Sequence, residues 1–147
     1  MSADLADTLD KKLVRGQTAR VDDGASHAEV DVVDVDRLGV SVHGVRVRGA
    51  DRGDLRRCVE ALPDALDALP DAVAPVEVDF TLGGAVLRSP TRKHEFYEVR
   101  TDGQEVSVEK LRVGPDGRAR VPFTLTREQL GRMVEGVGGA LGGRKEG

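Results

Sequence analysis

Apolar positions change their spacing along this chain, and each change marks an element. Leu5, Leu9 and Leu13 recur at every fourth position, until Gly16 and the mostly polar run from Val21 to Ser26 interrupt them. Such a stripe needs a surface to dock on, because an isolated helix of this length is marginal in water. Residues 1–26 are therefore expected to form a flexible or partly helical arm, lying on the body of the domain or on a second subunit.

From His27 the spacing falls to two. Val30 and Val32 share one face and Val33 and Val35 the other; Leu38, Val40 and Val42 then alternate, and the phase flips again at His43-Gly44 to give Val45 and Val47. Flips in phase are what bulges produce in paired strands. Two strands are predicted, over 28–35 and 39–47. After Gly49 the spacing becomes helical: Leu55, Cys58, Val59, Leu62, Leu66 and Leu69 form one stripe, with Asp51 or Asp54 available as the N-cap. Pro63 lies inside the stripe and is expected to kink or divide that helix.

Beyond Pro75 the pattern is almost entirely β. Val76, Val78, Phe80 and Leu82 alternate with polar residues, and Gly83-Gly84 allows a turn or bulge before Ala85-Val86-Leu87. Further strands are expected over 94–101, around Val106 to Val113 with a flip near Glu109, and over 119–125. Asp102-Gly103 and Gly114-Pro115-Asp116-Gly117 supply the turns. Pro122 cannot donate to a ladder, which predicts an edge or bulged final strand. Thr126 with Gln129 forms a capping box for a closing helix whose stripe is Leu130, Met133, Val134 and Val137. Gly136, Gly138 and Gly139 are expected to end it.

The predicted order is β-β-α-β-β-β-β-α, a two-layer α+β domain over 27–140. Its antiparallel sheet packs against one main, kinked helix and a C-terminal helix, and a disordered tail follows over 141–147. The layout is similar to helix-grip and TATA-binding-protein-like sheets, a likeness of shape that no motif carries and that leaves function open.

Composition narrows the picture. With 147 residues the chain is one domain's worth, and 39% hydrophobic against 33% charged residues describes a small core under a large charged surface. Tryptophan is absent and Phe80, Phe96, Tyr97 and Phe123 are the only aromatics, so the core is built of Val, Leu and Ala. The net charge of −4 provides no global field for nucleic acid or anionic lipid. It is uneven, however: residues 1–80 carry 10 basic and 17 acidic side chains, and residues 81–147 carry 12 and 9. The 17 arginines against 5 lysines are what a GC-rich genome produces. No basic segment followed by an apolar run opens the chain, and no apolar stretch approaches a membrane span. A bacterial cytoplasm is the expected location.

Candidate chemistry is sparse. Arg88, Ser89, Thr91, Arg92, Lys93 and His94 surround a proline loop between two strands, a set able to hold a small phosphate or carboxylate. The Arg88-to-Arg92 spacing resembles that of PilZ-type cyclic-dinucleotide receptors. The segment resembling their second motif, Asp34 to Gly39, precedes the arginines instead of following them, and that reading is set aside. His27, His43 and His94 are scattered, and a single cysteine, Cys58, excludes a Cys-based zinc site; no metal or cofactor is expected. Cys58 falls on the apolar stripe of the main helix, the position of a core residue. Arg100, Lys110, Arg112, Arg118 and Arg120 place positive charge on the meander, but acids intervene and no aromatics flank them for base stacking.

The reading that follows is a non-enzymatic interaction or adaptor module, self-associating or binding another protein chain. The first alternative is a small-anion binder or modest enzyme using the loop from Arg88 to Glu95. The second is nucleic-acid binding through the charged sheet face, which the composition disfavours.

Overall fold

The computed structural model describes residues 3–142 and shows an α+β domain of nine antiparallel strands and three helices. In chain order these are α1 (Ala3–Asp10), β1 (Thr18–Asp22), β2 (Ser26–Val35), β3 (Gly39–Gly49), α2 (Leu55–Ala65), β4 (Ala74–Asp79) and β5 (Gly84–Arg88). They are followed by β6 (Glu95–Thr101), β7 (Glu105–Gly114), β8 (Gly117–Val121), β9 (Phe123–Thr126) and α3 (Arg127–Ala140). The main path of the sheet runs β1-β2-β3-β7-β6-β5-β4. The helices pack on one face, and the other is polar. The end of the expected tail, residues 143–147, lies outside the described residues, whereas Leu141 is buried against the core.

Alternation explains most of the strands, and the phase flips between β2 and β3 are bulges. Their register shifts between Asp31 and Val32 and again between Val32 and Asp34, so Asp31 faces Gly44 while Val32 faces Val42. The shifts keep Val30, Val32, Val40, Val42, Val45 and Val47 buried despite the change of phase. The flip expected near Glu109 is present in the burial pattern but needs no bulge, since β6 and β7 pair without a break from Glu95–Arg112 to Thr101–Val106. Leu111 is buried instead on the opposite face, where it pairs with Phe96.

Two further differences have tertiary causes. Residues 18–22, which lack enough length or apolar content to be read as a strand, form β1 because β2 extends far enough to pair with them. Pro122 does mark an edge, in that each half of the final strand has a single partner, but the edge lies inside a fork and not at the end of the sheet. The proline divides the last strand, so that β8 pairs with the second half of β7 and β9 pairs with the first half of β3. The two strands meet directly only from Val45–Val108 to Arg48–Glu105. The sheet therefore forks, with Pro122 at the crotch, where a missing N–H costs no ladder bond.

The helix layer is centred on α3. Thr126 accepts from the Gln129 amide at 3.0 Å while the Gln129 side chain accepts from the Thr126 amide at 2.9 Å, the capping box in full. The helix does not stop at its glycines. A Cβ on Gly136 would lie 3.2 Å from the Ala65 carbonyl oxygen, and one on Gly131 would lie 3.2 Å from the Ala6 methyl. These glycines let α2 and α1 close against α3, and the packing offsets their low helix propensity. In α2, Asp54 caps the amides of Arg56 and Arg57. Pro63 sits within three residues of the helix end, so its lost hydrogen bond falls in the final turn. Leu5, Leu9 and Leu13 are all buried, and α1 lies against α3 and β1. No described helix is long and apolar enough to cross a membrane.

Leu9, only 1% exposed, tests this docking. Replacing it with alanine should lower unfolding stability by about 2–4 kcal/mol, read as a lower midpoint in urea at unchanged slope.

Candidate interaction surface

The loop residues singled out by the sequence are tied to separate partners. Arg88 donates from Nε to Glu98 at 2.8 Å on the polar face of the sheet. Ser89 is buried and serves the backbone: its amide donates to the Tyr97 carbonyl at 3.0 Å, and its hydroxyl accepts from the Tyr97 amide at 2.9 Å. Arg92 turns away to Asp71, with Nε donating at 2.8 Å. Thr91, Lys93 and His94 are exposed. No hydrogen bond among the described residues joins any two of these six side chains.

The turn itself is unusual. Arg92 and Glu95 exchange both backbone hydrogen bonds, at 2.8 and 3.0 Å, around a two-residue connection. Lys93 and His94 have φ of 53° and 70°, a mirror-image tight turn that favours Asn-Gly. Left-handed backbone at two ordinary residues stores strain. The turn holds both side chains at its tip, and Arg112 and Lys110 bracket Glu95 beneath them.

The rest of the polar face is a lattice of ion pairs. Glu98, with a side chain only 4% exposed, is shared by Arg88, Arg100 and Arg118 at 2.8, 3.2 and 3.5 Å. The guanidinium groups of Arg88 and Arg118 lie over the Phe96 ring. Toward β1, Arg46 bridges Glu29 at 2.8 Å and Asp31 at 3.1 Å. His27 and Arg46 hydrogen-bond the Glu29 carboxylate and hold it at a pKa of about 2. Arg46 and Thr18 lower Asp31 in the same way. The charges of these two nodes are matched within the face. Arginines that looked available in the sequence, Arg100, Arg118 and Arg120 among them, already have carboxylate partners. Cys58 is buried against Thr101, and burial raises its thiol pKa. No group of three or more metal-ligating side chains occurs among the described residues.

The unmatched surface is at β4. This strand ends the sheet path and pairs only with β5, and all six of its residues are exposed. Seven large hydrophobic side chains are exposed among the described residues, and four of them, Val76, Val78, Phe80 and Leu82, belong to β4 and the turn after it. That turn is fixed: Asp79 Oδ1 accepts from the amides of Thr81 and Leu82, both at 3.0 Å, and the Gly83 amide donates to the Asp79 carbonyl at 2.8 Å. Gly83 meets the positive φ of 79° that closes it. Arg56 of α2 lies 4.5 Å over the Phe80 ring, yet Phe80 stays half-exposed and Leu82 is 84% exposed. Beside β4, on the polar face, runs a groove of about 890 Å³ bordered by Glu77, Asp79, Leu82 and Val86. The opposite edge, β1, is short, carries Arg20 paired to Glu29, and has Lys12 on the Arg20 carbonyl, all devices that blunt an edge. On β4, Pro75 and the bulge between Pro75 and Glu77 blunt only the start of the strand and leave residues 77–79 regular. Sequence alternation identified β4 as a strand but not its exposure, which depends on how far α2 reaches across the sheet.

Replacing Lys93 by asparagine and His94 by glycine together should relieve the turn and stabilise the protein by about 1 kcal/mol, seen as a higher denaturation midpoint. Glu29 gives a pH dependence with a definite sign. Its folded pKa of about 2 lies below the ordinary 4.5, so its contribution is complete above pH 4.5 and is lost as pH falls toward 2. Glu29→Gln should flatten the stability profile across that window.

Comparisons with protein-family models, with curated proteins and with solved structures gave no match to this chain.

Proposed function

We propose that this domain is a protein-interaction module that takes an extended segment of another chain as an added strand on β4. The observation that carries the reading is an unpaired strand edge, exposed over all six residues and followed by a rigid turn displaying Phe80 and Leu82. An unpaired edge offers main-chain hydrogen bonds for affinity, and the exposed apolar side chains offer contacts for alternate residues of the incoming strand. Clustered exposed apolar groups on an otherwise charged surface commonly mark such a site.

A second copy is the poorer occupant. Antiparallel self-pairing centred on Val78 sets Glu77 opposite Asp79, and centring it on Glu77 sets that residue opposite itself. Like charges directly across from one another destabilise a sheet. A non-catalytic role agrees with a polar face whose charges around Glu98 and Glu29 are committed to one another.

Selection of displayed random peptides on the purified protein tests the reading. Selected peptides should protect the outward-facing amides among residues 76–79 from hydrogen exchange, and Val78→Pro should abolish the protection while the thermal midpoint stays near that of the parent. Failure to enrich any peptide, or protection confined to another surface, would overturn the proposal. A dimer seen by light scattering and broken by Leu82→Asp would assign the edge to a second copy instead.

A further inference from the structure

Resting on the strand-addition reading, we infer that the partner segment alternates apolar and basic residues, its basic side chains entering the groove on the polar side of β4. The inference comes from which way each β4 residue faces. Val78 is opposite Ala85, which is opposite Thr101, and Thr101 touches Cys58 of α2; this row is on the helix side. Phe80, two residues on, lies beneath Arg56 of α2. Glu77 is opposite Val86, which is opposite Arg100, and Asp79 is opposite Gly84; this row is on the polar side. A strand added outside β4 therefore meets an apolar row on one face and an acidic row on the other.

The groove extends that acidic row. Glu77, Asp79, Asp102, Glu105 and Glu109 line it, against only Arg46 and Arg100. Both arginines are already spent on carboxylates, Arg46 on Glu29 and Asp31 and Arg100 on Glu98. No ion pair among the described residues involves Glu77, Asp79 or Glu105. Asp79 commits Oδ1 to its own turn, which leaves Oδ2 for a cation. Val86 and Leu82 add apolar surface to the groove, suited to the methylene stem of a Lys or Arg whose charged end reaches the acids. Residues opposite the Glu77 and Asp79 row are thus selected as basic, and those opposite Val78 and Phe80 as apolar.

Two defined peptides test this, Val-Lys-Val-Lys-Val-Lys-Thr and its charge-reversed counterpart Val-Glu-Val-Glu-Val-Glu-Thr, each carrying the same N-terminal dye and a C-terminal amide. By fluorescence anisotropy at low salt the lysine peptide should bind at least about fivefold tighter, with the preference shrinking as salt rises. The double variant Glu77→Gln with Asp79→Asn should lose the preference while still binding an uncharged Val-Thr repeat. Equal binding of both charged peptides, with the amides of residues 76–79 protected, would overturn the basic-partner inference and leave strand addition standing. Absence of protection at those amides with every peptide would remove both. Tighter binding of the glutamate peptide would overturn the inference and direct attention to the arginines around Glu98.

Discussion

Burial of the apolar stripe of α3 on the inner valines of the sheet is the contact on which the rest of the structure depends. Leu130, Met133, Val134 and Val137 are each at most 1% exposed, as are Val40, Val42, Val45 and Val47 of the strand that α3 crosses. Because α3 carries glycine where α1 and α2 touch it, those helices come close enough to share the same core. The chain has no tryptophan and four other aromatics, so close approach of small residues replaces the bulk that aromatic side chains would supply.

Charge is organised around that core in two ways. On the polar face the carboxylates and guanidinium groups satisfy one another, with Glu98 at the meeting point of three arginines and Glu29 at another node. A buried carboxylate with several donors specifies the register of the strands that carry it, since a slip of one residue would send it to the apolar face. At β4 that reciprocity stops. Val78 and Phe80 occupy one side, with only Arg56 over the Phe80 ring, and the unpaired acids Glu77 and Asp79 occupy the other.

Local features were legible in the sequence, and features set by distant partners were not. The Asp102-Gly103 turn, the Gly114-to-Gly117 turn and the capping box at Thr126 rest on chemistry within four residues, and each is in place. Likewise the α+β class and the bulged pairing of β2 with β3 follow from alternation and its breaks. The fork at Pro122, strand β1 and the persistence of α3 through Gly136 depend on pairing or packing with elements far along the chain. So does the fate of the basic loop. Arg88 and Arg92 look like a pair in sequence, but Glu98 and Asp71 draw them to different sides. The β4 surface was hidden for the opposite reason: its clean alternation reads as a half-buried strand, and only the position of α2 leaves it open.

The fork has a consequence for how the chain is made. Strand β9 lies against β3 at a sequence separation of 83 residues, seen in the Thr124–Ser41 contact, and α3 follows β9 immediately. During synthesis the valines of β3 therefore lack the cover of α3 until β9 and α3 have been made. Such late, long-range closure slows folding and exposes apolar strand surface to neighbours in the meantime. Strand β9 and helix α3 act as the latch of the fold, and the nascent domain is most in need of protection just before that latch arrives.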